Sequence, residues 1–84
     1  MYKISTNEFG DKFYHYPNGK LHRLTGPAIE YSNGDKSYYV DDMLHRLDGP
    51  ALIRQDQTPR YFIYGFEVTE IVIKNLRGNL WNTV

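Results

Sequence analysis

The octapeptide Leu21-His22-Arg23-Leu24-Thr25-Gly26-Pro27-Ala28 returns as Leu44-His45-Arg46-Leu47-Asp48-Gly49-Pro50-Ala51, at a constant offset of 23 residues. A period of that length corresponds to one supersecondary unit per repeat, and such a unit covers its apolar face only by stacking on the next. The match extends past the octapeptide. Between residues 21–43 and 44–66, eight positions are identical (Leu, His, Arg, Leu, Gly, Pro, Ala and Tyr), and Tyr38-Tyr39-Val40 reappears as Tyr61-Phe62-Ile63. Tyr14-His15-Tyr16 reads as the return strand of a preceding, partial unit. Tyr14 to Tyr38 is 24 residues, so the first turn needs one extra residue. The chain thus carries about two and a half units.

Turn chemistry places the strands. Gly10-Asp11 opens Lys12-Phe13-Tyr14-His15-Tyr16, which closes on Pro17-Asn18-Gly19. Ala28-Ile29-Glu30-Tyr31 goes out, Asn33-Gly34 supplies a hairpin turn, Lys36 to Val40 returns, and Asp41-Asp42 reverses the chain into Leu44. The second unit follows the same plan: Ala51 to Arg54 out, Gln55 to Pro59 turning, Arg60 to Tyr64 back. Tyr2-Lys3-Ile4-Ser5 alternates and suits an edge or capping strand, and Gly65 closes the last hairpin. Beyond it Thr69 is a candidate N-cap for a helix starting at Glu70 and ending at Arg77, with Gly78 as its stop. Ile73, Leu76 and Leu80 recur at helical spacing, and Leu80 and Trp81 are expected to tuck behind the helix. The predicted fold is mainly β, stacked antiparallel hairpins closed by one short C-terminal α-helix. It forms a single domain over residues 1–84, divided as an N-terminal cap and partial repeat (1–20), repeat one (21–43), repeat two (44–66), and helix with tail (67–84).

At 84 residues the core is near the lower limit for independent stability. No cysteine is present to staple it or to hold a metal by thiolates, which leaves a tightly packed aromatic core or self-association into a homo-oligomer. Eight Tyr, four Phe and one Trp supply the aromatics. Ten basic and ten acidic side chains cancel, which argues against sequence-blind nucleic-acid binding. The longest aliphatic run is Ile71-Val72-Ile73, far short of a membrane span, and Met1-Tyr2-Lys3-Ile4-Ser5 lacks the apolar core of a signal peptide. A cytoplasmic location is expected.

Asn18-Gly19-Lys20-Leu21-His22 with Gly26, followed by Ile29-Glu30-Tyr31-Ser32-Asn33-Gly34-Asp35 and Tyr38-Tyr39, resembles the MORN repeat family over roughly residues 10–66. The departure lies at Arg23 and Arg46, where MORN units usually carry glycine, and in Gly-Pro-Ala replacing a simpler glycine step. The His-Arg-x-x-Gly-Pro-Ala form looks more like a variant found in short proteins of tailed bacteriophages and large viruses. The resemblance implies a stacked-hairpin binding module of viral origin, acting in the host cytoplasm. MORN proteins are associated with protein scaffolding and phospholipid contact, and neither role carries over residue by residue.

His22-Arg23 and His45-Arg46 are the chemically richest pairs. Units stacked in register would ladder two guanidinium groups and two imidazoles on one face, and the planar fork of arginine matches phosphate or carboxylate oxygens. The bland reading is that a residue repeated in every unit serves unit packing, with Arg46 paired to Asp48 and the imidazole stacked on a tyrosine. Gly26-Pro27 and Gly49-Pro50 read as structural, with glycine in extended or special backbone space. Tyr38, Tyr39, Tyr61, Phe62 and Tyr64 alternate and cannot share one face, so some are core and some are free to stack on a ligand or partner. Asp41-Asp42 reads as a solvated turn. His15, His22 and His45 lack metal-ligand spacing, and no nucleophile, acid/base pair or phosphate loop is legible.

These residues point to a non-enzymatic binding protein that needs no cofactor or metal. The leading expectation is a small virus-encoded inhibitor of a host defence process that sequesters a phosphorylated small molecule, such as a cyclic nucleotide. His22, Arg23, His45, Arg46, Tyr38, Tyr39 and Tyr61 are its ligand-binding candidates. The alternative is an inhibitor or adaptor that docks on a host protein through an aromatic hairpin face, with Tyr64, Phe66 and Trp81 at the interface. A third reading is a structural or assembly module of a virion.

Overall fold

The computed structural model describes residues 2–82, with side chains up to residue 76. Its elements in chain order are β1 (Lys3–Thr6), β2 (Lys12–His15), β3 (Ile29–Glu30), β4 (Lys36–Ser37), β5 (Tyr39–Val40) and β6 (Met43–Leu44). There follow β7 (Leu52–Ile53), β8 (Tyr61–Ile63), β9 (Phe66–Val68) and α1 (Glu70–Asn82). The protein is mainly β, antiparallel hairpins followed by one helix, as the repeat predicts. Strands β1-β2-β3-β4-β7 form a five-stranded antiparallel sheet, while β5 pairs β6 and β8 pairs β9 as separate hairpins.

One expected strand, Lys36 to Val40, is broken in two at Tyr38, and the break is a device of the repeat. The Tyr38 N–H donates to the Ala51 carbonyl (2.8 Å), keeping it in the sheet, while its own carbonyl accepts the His45 N–H (2.9 Å) and turns the chain into the β5–β6 hairpin. Tyr14 makes the same exchange with Ala28 and His22, at 2.7 and 3.1 Å. The middle unit therefore contributes a rung to the sheet and then a small hairpin that leaves it, whereas in the partial unit before it β2 stays in the sheet through His15, paired with Lys3 of β1. Strand β9, absent from the sequence reading, is the third copy of that outgoing leg: Phe66-Glu67-Val68 lies 23 residues after Met43-Leu44-His45.

The hairpin turns are tight. Asp41 and Asp42 have φ of 49° and 65°, and Tyr64 and Gly65 have 45° and 85°, the double left-handed geometry of a two-residue hairpin turn. The first turn is longer by one residue, as the spacing predicts, with Tyr16 N–H donating to Lys20 O at 3.0 Å and Gly19 N–H to Tyr16 O at 2.9 Å. At the far ends of the units, Asp11 accepts the Ser32 N–H (2.8 Å) and Asp35 accepts the Gln55 N–H (3.1 Å). Those clasps tie each turn to its neighbour.

The core is small. Ala28 and Ala51, the alanines of the two motifs, are fully buried, and Ala51, Leu52 and Phe62 cluster with Tyr38 and Leu44 packed around them. The helix starts at Glu70 as expected and seats Ile73, 1% exposed. It does not stop at Gly78 but runs to Asn82. A helix-interior glycine costs only about 1 kcal/mol relative to alanine, so without a left-handed turn it does not end the helix. The expected packing of Leu80 and Trp81 lies outside the described side chains.

Candidate ligand-binding cleft

Both copies of the motif fold onto the same set of contacts. The Arg23 guanidinium lies over the Tyr14 ring, its Cζ 3.8 Å from the centroid, and its Nη1 donates to the Pro27 carbonyl at 3.1 Å. Arg46 lies over Tyr38 at 4.0 Å and donates from Nη1 to the Pro50 carbonyl at 3.1 Å. Each guanidinium also rests on glycine: a Cβ built on Gly26 would stand 3.1 Å from Arg23 Cζ, and one on Gly49 would stand 2.9 Å from Arg46 Cζ. The sequence reading left both glycines in extended or special backbone space, and the fold adds a side-chain reason for them. Neither adopts the left-handed backbone. They are glycine because a planar cation is held between a ring and a bare Cα, an arrangement that arginine's flat, weakly hydrated head permits and lysine's does not.

The histidines join consecutive hairpins. His22 Nδ1 accepts the Asp41 N–H at 3.0 Å and His45 Nδ1 accepts the Tyr64 N–H at 2.9 Å, which requires the tautomer with its proton on Nε2. His22 stacks on Tyr16 (centroids 4.3 Å apart) and His45 on Tyr64 (4.0 Å). Burial holds His45 below the ordinary histidine value. His15 sits apart, with Nδ1 3.0 Å from the Tyr16 carbonyl and Nε2 3.2 Å from Ser5 Oγ.

The two motif loops border one cleft of about 480 Å³. Arg23, Leu24, Thr25 and Gly26 line it from the first loop, His45, Arg46, Leu47 and Asp48 from the second, with Tyr38 and Val40 completing the wall. Of the sequence candidates, the cleft brings together Arg23, Tyr38, His45 and Arg46. It leaves out His22, which is buried, as well as Tyr39 and Tyr61. Tyr39 is half-buried, and burial, then the neighbouring Tyr31, pushes its hydroxyl up. Tyr61 is raised by burial and then by Glu70, which places its hydroxyl at the first turn of α1. Tyr64 and Phe66 are exposed at the tip of the β8–β9 hairpin, and the side chain of Trp81 is outside the described residues.

Each guanidinium is partly neutralised. Arg23 Nη1 is 3.5 Å from Glu30, whose other oxygen accepts the Tyr14 hydroxyl proton at 3.1 Å, and Arg46 Nε donates to Asp48 at 2.8 Å. The Arg46–Asp48 pair and the imidazole-on-tyrosine stack are those of the packing alternative. These bonds engage Nη1 of both arginines and Nε of Arg46, and Nη2 takes no part in them. The sequence reading missed Glu30, although a signal existed: where the second loop carries Asp48 the first has Thr25, and where the first unit carries Glu30 the second has Ile53. It also missed Leu24 and Leu47, exposed at the rim. No helix among the described residues is long and apolar enough to cross a membrane. No family model, curated protein or solved structure matches the chain.

Proposed function

We propose that this chain is a non-enzymatic binding protein whose ligand, a phosphorylated small molecule, occupies the cleft between the motif loops. The observation that carries the reading is that Arg23 and Arg46 border the same concave surface, beside the Tyr38 ring. A guanidinium already fixed on a ring and a carbonyl loses little freedom when an anion arrives, and that lowers the entropic cost of binding. Asp48 is the obstacle, and a weak one: its side chain is 75% exposed, and an exposed ion pair contributes at most about 1 kcal/mol. A phosphoryl oxygen displacing it from Arg46 Nε gains a charge-assisted bond of the same kind. Leu24 and Leu47 at the rim then cover the apolar part of the ligand. The similarity to viral His-Arg-x-x-Gly-Pro-Ala proteins extends the proposal to sequestration of a host signal, for which a cyclic nucleotide has suitable size and charge.

Calorimetric titration with a panel of cyclic dinucleotides and nucleoside phosphates tests this. The expected result is one saturable site per chain whose affinity falls at least about tenfold in Arg23→Lys and in Arg46→Lys, since lysine lacks the fork. An absence of heat across the panel overturns it. The competing reading, docking on a host protein, draws its support from the exposed Tyr64 and Phe66.

A further inference from the structure

The hairpin turns form a stack of their own, distinct from the sheet and from the cleft. The offset of 23 puts Lys20, Met43 and Phe66 in one position of successive turns, and Gly19, Asp42 and Gly65 in the position before it. Within the chain, Met43 lies against the bare face of the following turn: a Cβ built on Gly65 would be 3.8 Å from both Cβ and Cγ of Met43, ordinary van der Waals contact. The middle turn thus offers an apolar side chain to the last, and the last receives it on a backbone without a side chain in the way.

Both halves of that contact are unsatisfied at the ends of the stack. Phe66, the Met43 equivalent of the last turn, is 77% exposed, the most exposed large apolar side chain among the described residues. Gly19, the Gly65 equivalent of the first turn, has nothing within 4 Å of where its Cβ would stand, and its φ of 91° matches the 85° of Gly65. An aromatic ring projects from one end, and an open glycine in the same left-handed conformation, in a turn one residue longer, is presented at the other.

We infer that Phe66 of one copy packs on the Gly19 turn of a second copy, head to tail, continuing between chains the contact that Met43 makes with Gly65 within one. The interface is heterologous, using a different patch on each partner, so it builds chains or rings rather than a two-fold dimer. Its area is small and the association correspondingly weak, detectable at high protein concentration. It is independent of whether the cleft binds a ligand.

Two measurements on the full chain decide it. In sedimentation equilibrium the weight-average mass is expected to rise with concentration, and Phe66→Ser, a change at an exposed side chain, is expected to abolish the rise. A mass that stays monomeric, or a rise that persists in Phe66→Ser, overturns the inference. With the photoreactive Phe66→p-benzoylphenylalanine, which keeps the ring, irradiation is expected to give a dimeric adduct whose cross-linked peptide contains residues 17–20. Adducts mapping to any other segment, the β8–β9 hairpin of the partner included, overturn it.

Discussion

Arg23 and Arg46 are held alike by a tyrosine ring, a bare glycine and a proline carbonyl, yet one takes its counter-charge from Glu30 on strand β3 and the other from Asp48 in its own loop. The histidines diverge in the same way. Both accept a turn N–H, but the residue giving it is Asp41 in the first unit, whose carboxylate lies 3.6 Å from Nδ1, and Tyr64 in the second, which stacks on the ring instead. The contacts that recur are those made to backbone and to flat surfaces, where geometry leaves no choice. The contacts that wander are charges, which act over several ångströms and can be supplied from either side. Repeat geometry is specified by shape, and neutralisation is met wherever an acid is at hand.

The sharpest way to break the equivalence of the units is at Tyr39 and Phe62, which occupy the same repeat position. Phe62 is 7% exposed in the cluster with Ala51 and Leu52, whereas Tyr39 is half-buried. Phe62→Ala is expected to cost about 3–5 kcal/mol, comparable to the whole stability of a domain this small, and Tyr39→Ala distinctly less. Urea denaturation followed by far-UV circular dichroism checks the order. Equal losses would mean that the core is spread evenly over both units.

The next effect comes from the guanidinium sandwich. Gly49→Ala brings a methyl to 2.9 Å from Arg46 Cζ, and Gly26→Ala to 3.1 Å from Arg23 Cζ. The methyl meets the far end of a flexible side chain, so the guanidinium gives way and the cost is that of its displaced ring and carbonyl contacts, about 0.5–1.5 kcal/mol, with the closer contact expected to cost more. The decisive control is the double variant Gly49→Ala with Arg46→Ala: removing the arginine should recover most of the glycine penalty, a coupling that two independent losses would not show.

The periodicity makes the fold legible because the octapeptide and the Tyr38-Tyr39-Val40 strand recur, so an ambiguous segment can be read from its copy. Phe66-Glu67-Val68 escapes that reading as a strand because no residue of it is identical to its counterpart in Met43-Leu44-His45. The site is legible by residue type and not by contact. Gly-Pro, read along the chain, suggests a glycine chosen for its backbone; only the folded loop reveals that the guanidinium returns onto the glycine three residues on. Glu30 escapes for a related reason, since an acid seven residues downstream reaches Arg23 only after β3 has paired with β2. Gly78 misleads in the opposite direction, because a helix tolerates a glycine that keeps helical dihedrals.

A smaller effect belongs to His45. Burial lowers His45 in the folded state, and its Nδ1 is occupied by the Tyr64 N–H. The unfolded chain therefore takes up a proton at this site more readily than the folded one as the pH falls. The associated stability is fully present above the ordinary histidine value of about 6.5 and is lost on acidification toward the lowered folded value. Unfolding free energies measured from about pH 7.5 down to about pH 5 should fall, and His45→Gln should flatten the part that belongs to this site. Tyr64→Asp, which builds the Asp41 arrangement into the second unit, should weaken the same dependence by putting a carboxylate beside the imidazolium. An unchanged slope in His45→Gln would assign the pH dependence elsewhere.

The smallest expected effect is also the one that distinguishes shape from charge most directly. If the sandwich fixes the guanidinium and the acid only neutralises it, moving the acid should matter little so long as one remains. Asp48→Thr removes the carboxylate from the second loop, and Ile53→Glu restores one at the position where the first unit carries it. The single change should cost no more than about 1 kcal/mol, as exposed ion pairs do, and the cost should shrink further at high salt. The double variant should return to within about 0.5 kcal/mol of the parent, because the carboxylate introduced at position 53 would then stand to Arg46 as Glu30 stands to Arg23, seven residues downstream and one strand over. A double variant worse than Asp48→Thr alone would show that the Nε bond to Asp48, at 2.8 Å, is a geometric requirement of the second loop. The two units would then differ in mechanism as well as in the address of a charge.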